Sequence, residues 1–263
     1  MISRLIVLAL LIAATVSASA KDMWIPIAGV APGANETLFR TDLRIFNPSS
    51  TKTIGVTIHF LPANMDGRNI SGRIVTVPPR SMAVLNNVVG DFMQIHTPMV
   101  GALRLDSADD QSWEFTAESR TYTDSPTGPG TYGQFIPAMH ASAAKHKLVV
   151  THLSHSADIS TGFRTNVGVM NPSSEEAVVT PRVYRNDGAL LIVGEPIVVP
   201  PHSVVQTPLG VIHGIGSFNL PDGFVVLDSS QPVFAYASVV DNRSSDPFFV
   251  VGVEDTEDRQ PIR

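Results

Sequence analysis

The sequence predicts an all-β protein made of two tandem antiparallel β-sandwich domains that follow a signal peptide. Three observations support this prediction: a short segment that occurs twice, apolar residues that alternate with polar ones, and turn-forming residues that separate the alternating runs. The predicted organisation is a signal peptide at 1–20, a first sandwich at 21–139, a linker at 140–147, a second sandwich at 148–254 and a flexible tail at 255–263.

Composition excludes several classes of protein. The chain has 263 residues, no Cys, and 18 Lys and Arg against 24 Asp and Glu. Without Cys, a disulfide scaffold and a thiolate metal site are impossible. The formal net charge of -6 argues against nucleic acid as a partner, because affinity for a phosphate backbone comes mainly from Lys and Arg. The length is sufficient for one or two domains with buried cores.

The N-terminus has the pattern of a secretory signal peptide. Arg4 precedes an apolar run at 5–16, and the small residues 17–20 follow it. The run is shorter than the ~20 apolar residues that cross a bilayer, and small residues at this position are typical of a signal-peptide cleavage site. We therefore expect a protein that is secreted or located in the periplasm or cell envelope, with no membrane span after cleavage.

The segment that occurs twice defines the two predicted domains. Residues 39–50 and 163–174 lie 124 positions apart and share seven of twelve residues, with Phe-Arg-Thr at the start and Asn-Pro-Ser-Ser at the end. Asp-Gly and Val-Pro-Pro-x-Ser follow in the same order in both copies. The period is much longer than the 20–50 residues of a solenoid unit. We therefore expect each copy to close its own core, and a fragment of residues 147–254 to fold alone.

Apolar and polar residues alternate between the turns, as they do in half-buried strands. We expect Leu43 and Ile45 on the inner face and Asp42 and Arg44 on the outer face. Val179 of the second copy faces inward only if its Asn-Pro turn is one residue shorter, because a one-residue slip reverses every side chain. Later strands are predicted at 82–85, 102–105, 115–122 and 132–136, and at 204–206, 224–227, 233–240 and 248–253. A short helical turn is expected near 86–93.

The order Phe-Arg-Thr-Asp, extended run, Asn-Pro-Ser, extended run, Asp-Gly and Val-Pro-Pro-x-Ser resembles the tandem immunoglobulin-like β-sandwich repeats of uncharacterised secreted bacterial proteins. Residues 119–123 and 130–135 look like the closing strands of such repeats. The resemblance covers nearly all of residues 24–254 and implies two immunoglobulin-like sandwiches. It implies no activity, because the recurring residues are mostly turn formers and a fold does not specify a function. The second copy departs from the pattern at 238–242.

Two groups of residues have side chains that can bind metal ions. Four histidines lie around the predicted linker: His140, His146, His152 and His155. Acidic residues occupy two predicted loops: Asp106, Asp109 and Asp110 in one, and Asp241 and Asp246 in the other. Neither group has the spacing of a known zinc or calcium motif. We therefore expect a solvated linker and ordinary turns, with no metal site.

Arg40 and Arg164 occupy the same position in the two copies. A guanidinium can bind a carboxylate or a phosphate through two hydrogen bonds, so one hypothesis is a ligand clamp. The other is that each Arg pairs with a loop carboxylate or carbonyl and fixes the start of a strand. We favour the second, because a residue repeated together with its turns is most simply explained by the repeated fold.

Aromatic residues and hydroxyl groups leave two other functions open. The aromatic candidates for stacking on sugars are Trp24, Trp113, Tyr122, Tyr132, Tyr184 and Tyr236. A hydrolase would need a Ser, a His and an acid brought together by the fold, and the chain has no Gly-x-Ser-x-Gly motif. Three sequons, at Asn35, Asn69 and Asn242, matter only in a host that glycosylates them.

We therefore expect an exported protein that is not an enzyme and that serves a structural, adhesive or protein-binding role in the bacterial envelope or outside the cell. Its interaction surface would be a sheet edge or the groove between the domains. A carbohydrate-binding module is the first alternative, and a secreted hydrolase is the second. No catalytic, cofactor-binding or metal-ligating residue is predicted, and a protein or glycan at the cell surface is the expected partner.

Overall fold

The structure is a computed structural model that describes residues 22–33, 37–107, 114–125, 128–213 and 218–256. The predicted signal peptide lies outside these residues. More than half of the described residues lie in strands and very few lie in helices, which confirms the all-β prediction. Its strands are β1 (Met23–Pro32), β2 (Leu38–Phe46), β3 (Ile54–Pro62), β4 (Arg73–Val77), β5 (Met82–Leu85), β6 (Met99–Ser107), β7 (Thr116–Asp124), β8 (Thr131–Pro137), β9 (Met139–His140), β10 (Lys145–His155), β11 (Phe163–Asn171), β12 (Ala177–Arg185), β13 (Leu190–Val193), β14 (Ile197–Val199), β15 (Ser203–Pro208), β16 (Leu220–Asp241), β17 (Pro247–Val251) and β18 (Val253–Glu254).

Helical structure in the described residues is confined to short segments. They are a π-helical turn at Val88–Phe92, a 3₁₀ helix at Ala141–Ala143 and helix α1 at Leu209–His213. The π-helical turn lies where a helical turn was expected. Within the part of the chain that the structure describes, no helix has the length and apolar character needed to span a bilayer.

The strands form two antiparallel sheets, one in each half of the chain. We call residues 22–143 the first half and residues 145–256 the second half. The first sheet has the order β4-β3-β6-β1-β2-β7-β8, with β5 beside β2 and β9 beside β1. In the second sheet, β14 and β13 pair with β12, and the order continues β12-β16-β10-β18. The same sheet also contains the order β15-β11-β16-β17.

Each sheet folds over into two layers because one strand takes part in both. β1 pairs with β6 from Met23 to Val30 and then with β2 from Val30 to Pro32. In the second sheet, the first part of β16 pairs with β10 and β12, and its last part pairs with β11 and β17. β1 and β10 also shift register at matching places, as a β-bulge does when it bends a strand. The result is a sandwich-like unit in each half.

Most strand predictions are confirmed, and the strand at 82–85 is confirmed to the residue. The separation of 224–227 from 233–240 is wrong, because both segments belong to the single strand β16. Ser229, which lies between them, still pairs with Val179. The segment 140–147 also differs from the irregular linker expected there. His140 lies in β9, and β10 begins at Lys145. Strand pairing uses backbone groups, so this polar segment can form a ladder without an apolar face.

The expected one-residue difference between the two Asn-Pro turns is confirmed. Asn47 donates from its side chain to the carbonyl of Lys52, five residues on, whereas Asn171 donates to Glu175, four residues on. After the shorter turn, Val179 is fully buried. Leu43 and Ile45 are fully buried as well, as the alternation predicts.

The buried apolar residues form two clusters. The second lies entirely within the second half. The first fills the first half and also contains Met170, Val204, Phe234 and Tyr236 from the second half. The expectation that each copy closes a core from its own residues alone is therefore wrong for the first cluster, because the second half covers part of it.

The second half contacts the outer face of the β3-β6-β1 layer. The backbone N–H of Asn64 donates to the carbonyl of Val204 at 3.0 Å, and the N–H of Gly67 donates to the carbonyl of Pro201 at 3.0 Å. The Ser203 hydroxyl donates to the carbonyl of Pro62. These bonds fix the turn at 200–203 against the loop that follows β3.

The two Asp-Gly pairs form different structures. Gly188 has a φ of 83° in the tight hairpin between β12 and β13, as predicted for this turn signal. Gly67 does not form such a hairpin, and a Cβ at this position would collide with the carbonyl oxygen of His202. Glycine is needed at 67 because the backbone of the other half approaches too closely for a side chain.

Candidate functional site

The best candidate for a functional site is a cleft of about 400 Å³ between the two halves. Its first-half wall comes from β1 and neighbouring residues, including Ile27, Phe39 and Gln134. Arg164 and Asn166 on β11 form part of the opposite wall. The volume lies within the range of pockets that bind small ligands, and the walls combine apolar side chains with a cation and several amides.

Arg164 supplies the cation. Within the described residues its guanidinium makes one hydrogen bond, to Oδ1 of Asn242 at 3.1 Å. Burial lowers the pKa of Arg164 from its usual value, because desolvation disfavours the charged form. An arginine nevertheless remains protonated in proteins. The cleft therefore contains a half-buried positive charge whose hydrogen-bonded partner is neutral.

Arg40 is in the matching position of the first half and has a different environment. Its guanidinium donates two hydrogen bonds to the carboxylate of Asp124, at 3.1 and 2.8 Å. This side-chain hydrogen bonding to Asp124 raises the pKa of Arg40. It also lies over the ring of Tyr122, 4.6 Å from the ring centroid. Arg40 thus pairs with a carboxylate at the end of β7, a partner of the kind that the structural hypothesis expects.

The negative charge of Asp241 attracts the guanidinium of Arg164 without a hydrogen bond and raises its pKa, against the larger effect of burial. Oδ1 of Asp241 accepts hydrogen bonds from the backbone N–H groups of Arg243 and Ser244, each at 2.8 Å. Hydrogen bonding from Ser244 is the main reason that the pKa of Asp241 is below its usual value. This carboxylate therefore stabilises the turn after β16, and it partly offsets the charge of Arg164 without binding it.

Amide side chains also line the cleft. Gln134 accepts a hydrogen bond from the hydroxyl of Ser238, and Gln206 accepts one from the hydroxyl of Tyr236, both at 3.0 Å. Within the described residues, the NH₂ groups of these two glutamines have no hydrogen-bond acceptor, and neither has the NH₂ group of Asn166. Donors of this kind in the same cleft as a guanidinium suit an anionic ligand that carries several oxygens.

The four linker histidines do not come together. His146 bonds the carbonyl of Ser229 through Nδ1, His152 is exposed, and the ring of His155 stacks on Phe218. In the described ranges, no group of three or more His, Asp and Glu side chains is placed to hold a metal ion.

The acidic residues have local roles where the structure describes them. Asp106 contacts Nε2 of His59 at 3.1 Å, and Asp241 caps the turn after β16. The backbone N–H of Asp246 donates to the hydroxyl of Ser244. Asp109 and Asp110 lie outside the described residues.

The aromatic candidates that the structure describes do not form one exposed row. Trp24 and Tyr236 are fully buried. Arg40 and Arg120 both lie within 5 Å of the ring centroid of Tyr122. The ring of Tyr184 stacks on Phe224, with centroids 4.9 Å apart. Trp113 lies outside the described residues, and Tyr132 is partly exposed.

The sequons differ in accessibility. Asn69 is exposed, whereas Asn242 uses its side chain to bind Arg164 and the carbonyl of Thr161. Asn35 lies outside the described residues. For the hydrolase hypothesis, no Ser hydroxyl in the described ranges hydrogen-bonds a His side chain.

Sequence reasoning missed a group of polar residues where the second half meets the first. Burial raises the pKa of Asp22 to about 6 and lowers the pKa of His202 to about 4. Nε1 of the buried Trp24 and Nε of Arg104 have no hydrogen-bond partner in the described structure. Asp22 and Trp24 belong to the apolar N-terminal segment of the first half, and no local motif connects them with His202. A single sequence gives no signal that they meet.

Comparisons with known proteins add little to this description. The crystal structure of Thermotoga maritima 1070 is similar over 43% of this chain and 96% of its own, with 13% identity and a TM-score of 0.34. A likeness this weak carries no inference about fold or function. A scan against models of known protein families gives no match, and a search of curated proteins gives none either.

Proposed function

We propose that this chain is an exported bacterial protein that is not an enzyme and that binds a carboxylate-bearing ligand, such as a peptide with a free C-terminus, in the cleft between two tandem immunoglobulin-like units. The N-terminal pattern of residues 1–20 supports export to the periplasm, the cell envelope or the exterior. The repeated segment and the matching strand orders of the two sheets support two copies of one unit.

The observation that carries the proposal is the difference between Arg164 and Arg40. At matching positions, Arg40 is neutralised by Asp124, whereas Arg164 has only the amide oxygen of Asn242 as a hydrogen-bonding partner among the described residues. A carboxylate ligand would supply the missing charge and could accept two parallel N–H bonds. The NH₂ groups of Gln134 and Gln206, which line the same cleft, would then bind other oxygens of an extended ligand.

A peptide library tests this proposal. The mature protein is incubated with short peptides that have free C-terminal carboxylates and, in parallel, with the same peptides amidated at the C-terminus. Enrichment of the free acids alone is expected. Arg164→Gln should weaken their binding about 10–100-fold, the equivalent of one charge-assisted hydrogen-bonded pair.

Arg40→Gln is the matched control, because it changes the same residue type at the matching position outside the cleft. It should leave peptide binding unchanged. Equal binding of the amidated library, or equal losses in the two variants, would show that the cleft does not recognise carboxylates.

A further inference from the structure

The contact between the two halves joins two surfaces, and each has a counterpart elsewhere in the chain. The receiving face is the outer face of the β3-β6-β1 layer, where Trp24 meets His202 with ring centroids 5.4 Å apart. The docking face consists of the turn at 200–203 and the outer face of β15, β11 and the end of β16. The strands within each layer pair in the same order in the two sheets, although β10 does not pair with β11 as β1 pairs with β2. Each half therefore has both faces. The contact within the chain uses the receiving face of the first half and the docking face of the second half.

The receiving face of the second half is open. Val149 of β10 occupies the position of Trp24 in β1, because each directly precedes the residue at which its strand shifts register. Tyr184 and Phe224 lie beside Val149 with stacked rings. These side chains border a groove of about 790 Å³. Trp24 is fully buried, whereas Val149, Tyr184 and Phe224 are all partly exposed.

The docking face of the first half is open as well. Met82 of β5 matches Val204 of β15 in strand register, yet Met82 is 51% exposed and Val204 is 0% exposed. Phe135 of β8 matches Phe249 of β17 in the same way. Phe135 is 57% exposed, whereas Phe249 packs against the first core cluster. Large apolar side chains are therefore present on this face without a covering partner in the described chain.

The tips of the two docking turns share a backbone conformation. Arg80 and His202 have φ values of 51° and 47°, and each donates its N–H to a Ser carbonyl in the preceding Asn-Pro-Ser turn. Arg80 is exposed. Asp228 and Asp255 lie along the open groove, so docking would bring a cation to two carboxylates. Each carboxylate also pairs with a basic side chain of its own half, which keeps the unoccupied groove neutral.

We propose that the open receiving face binds the open docking face of a second copy of this chain. The contact within one chain would then be repeated between chains, with the turn at 78–81 in the place of the turn at 200–203. Such an interface joins two different surfaces and does not close, so it generates linear head-to-tail assemblies. It does not involve the cleft at Arg164 and does not depend on the function proposed for that cleft.

The contact between chains is weaker than the contact within one chain. The loop at 63–72 provides the N–H groups of Asn64 and Gly67 to the docking turn, whereas the second half has a short hairpin there, closed by Arg185 and Ala189. Those two bonds have no counterpart between copies. Association between copies is also bimolecular, so it loses translational and rotational entropy that the contact within one chain does not lose. Assembly should therefore depend on protein concentration.

Sedimentation equilibrium of the mature chain tests the proposal. The average mass should rise above that of the monomer over roughly a hundredfold range of concentration. Met82→Glu, on the docking face, and Tyr184→Glu, on the receiving face, should each give monomers. An equimolar mixture of the two variants should give dimers that grow no further, because each variant retains the one face that the other has lost.

Ile159→Glu is the matched control, because Ile159 is 82% exposed and lies on neither face. It should assemble like the wild type. Circular dichroism verifies that each variant is folded, and Arg80→Glu replaces Met82→Glu if that variant does not fold. A monomer at every concentration would overturn the proposal, whatever other molecule the faces then bind. A mixture of the two variants that stays monomeric would also overturn it, because the intact receiving face of one variant and the intact docking face of the other should still bind each other.

The absence of Cys from the chain allows a second readout. Arg80→Cys in one copy and Val149→Cys in another should form a disulfide when the two variants are mixed under oxidising conditions, because these positions match His202 and Trp24. Cross-linking no faster than that of an Ile159→Cys and Val149→Cys mixture would contradict the predicted register.

Discussion

Asn47 and Asn171 are fully buried polar residues that hold the turn after each Phe-Arg-Thr strand. Nδ2 of Asn171 lies within hydrogen-bond distance of the carbonyls of Glu175, Val199 and Pro200, and Oδ1 accepts from the N–H of Ser173. Asn47 makes the same set of bonds in the first half. The sequence indicated a turn at each Asn-Pro pair, and the side-chain network gives the reason that Asn is required.

We predict that Asn171→Ala lowers the free energy of unfolding by roughly 2–4 kcal/mol, because it leaves buried carbonyl groups without donors. Asn47→Ala should have an effect of the same size. Chemical denaturation monitored by circular dichroism measures both. Asn69→Ala, at an exposed position, should change stability by less than about 0.5 kcal/mol. A loss for Asn69→Ala as large as that for Asn171→Ala would contradict the role of the network.

Asp22 and His202 contribute opposite pH dependences to the stability of the fold. The pKa of Asp22 is raised from 3.8 to about 6, so the folded state binds more protons and stability falls as the pH rises from about 4 to 6. The pKa of His202 is lowered from 6.5 to about 4, so stability rises with pH over about 4 to 6.5. The charged and titratable groups around them are Arg104, His59, Asp106, Asp66 and Arg68.

We predict that Asp22→Asn makes stability rise more steeply with pH between about 4 and 6.5, since only the effect of His202 remains. His202→Gln should leave the opposite slope, with stability falling as the pH rises from about 4 to 6. Urea unfolding at several pH values measures both slopes. Unchanged slopes in both variants would mean that neither group is buried as described.

At the scale of single elements, β1 and β10 show how burial on two faces appears in a sequence. β1 reads Met-Trp-Ile-Pro-Ile-Ala-Gly-Val and is buried along its first seven residues, because the first core covers one face and the second half covers the other. β10 alternates buried and partly exposed residues near its centre, because its outer face is the open receiving face. A continuous apolar run was therefore a signal for a second covering surface.

Gly67 is the position where an element depends most directly on the other half. We predict that Gly67→Ala lowers the free energy of unfolding by about 1–3 kcal/mol, because its Cβ would collide with the carbonyl oxygen of His202. Thermal unfolding of residues 21–263 measures the change. Gly128→Ala is the control, since a Cβ there meets no heavy atom within 4 Å. Equal stability of the Gly67→Ala and wild-type proteins would show that the docking turn can move away at no cost.

At the scale of the whole molecule, the division between the halves can be placed more accurately than the sequence allowed. β10 begins at Lys145, and the N–H of Asp255 still donates to the carbonyl of Lys147. The predicted fragment of 147–254 therefore omits residues that belong to the second sheet. A fragment of 145–256 matches the sheet as it is built.

We predict that the 145–256 fragment keeps its β-sheet circular dichroism but self-associates and binds a hydrophobic dye. Its core is complete, whereas Met170, Val204 and Phe234 lose the surface that covers them in the whole chain. Dye fluorescence and sedimentation of the fragment, compared with those of residues 21–263, measure this. A monomeric fragment that binds no dye would show that the contact between the halves buries little apolar surface.

The sequence by itself determined the all-β class, the turns and the register of the repeated segment. These depend on local chemistry: alternation with period two, the conformational limits of Pro and Gly, and the one-residue shortening that turns Val179 inward. Only the tertiary structure decided how the halves meet, because that contact joins residues far apart in the chain, such as Trp24 and His202. The tertiary structure also gives Arg40 a carboxylate partner, Asp124, and gives Arg164 an uncharged amide partner, Asn242. The two arginines occur in similar local sequences, and the difference between them comes from distant residues that a local pattern does not contain.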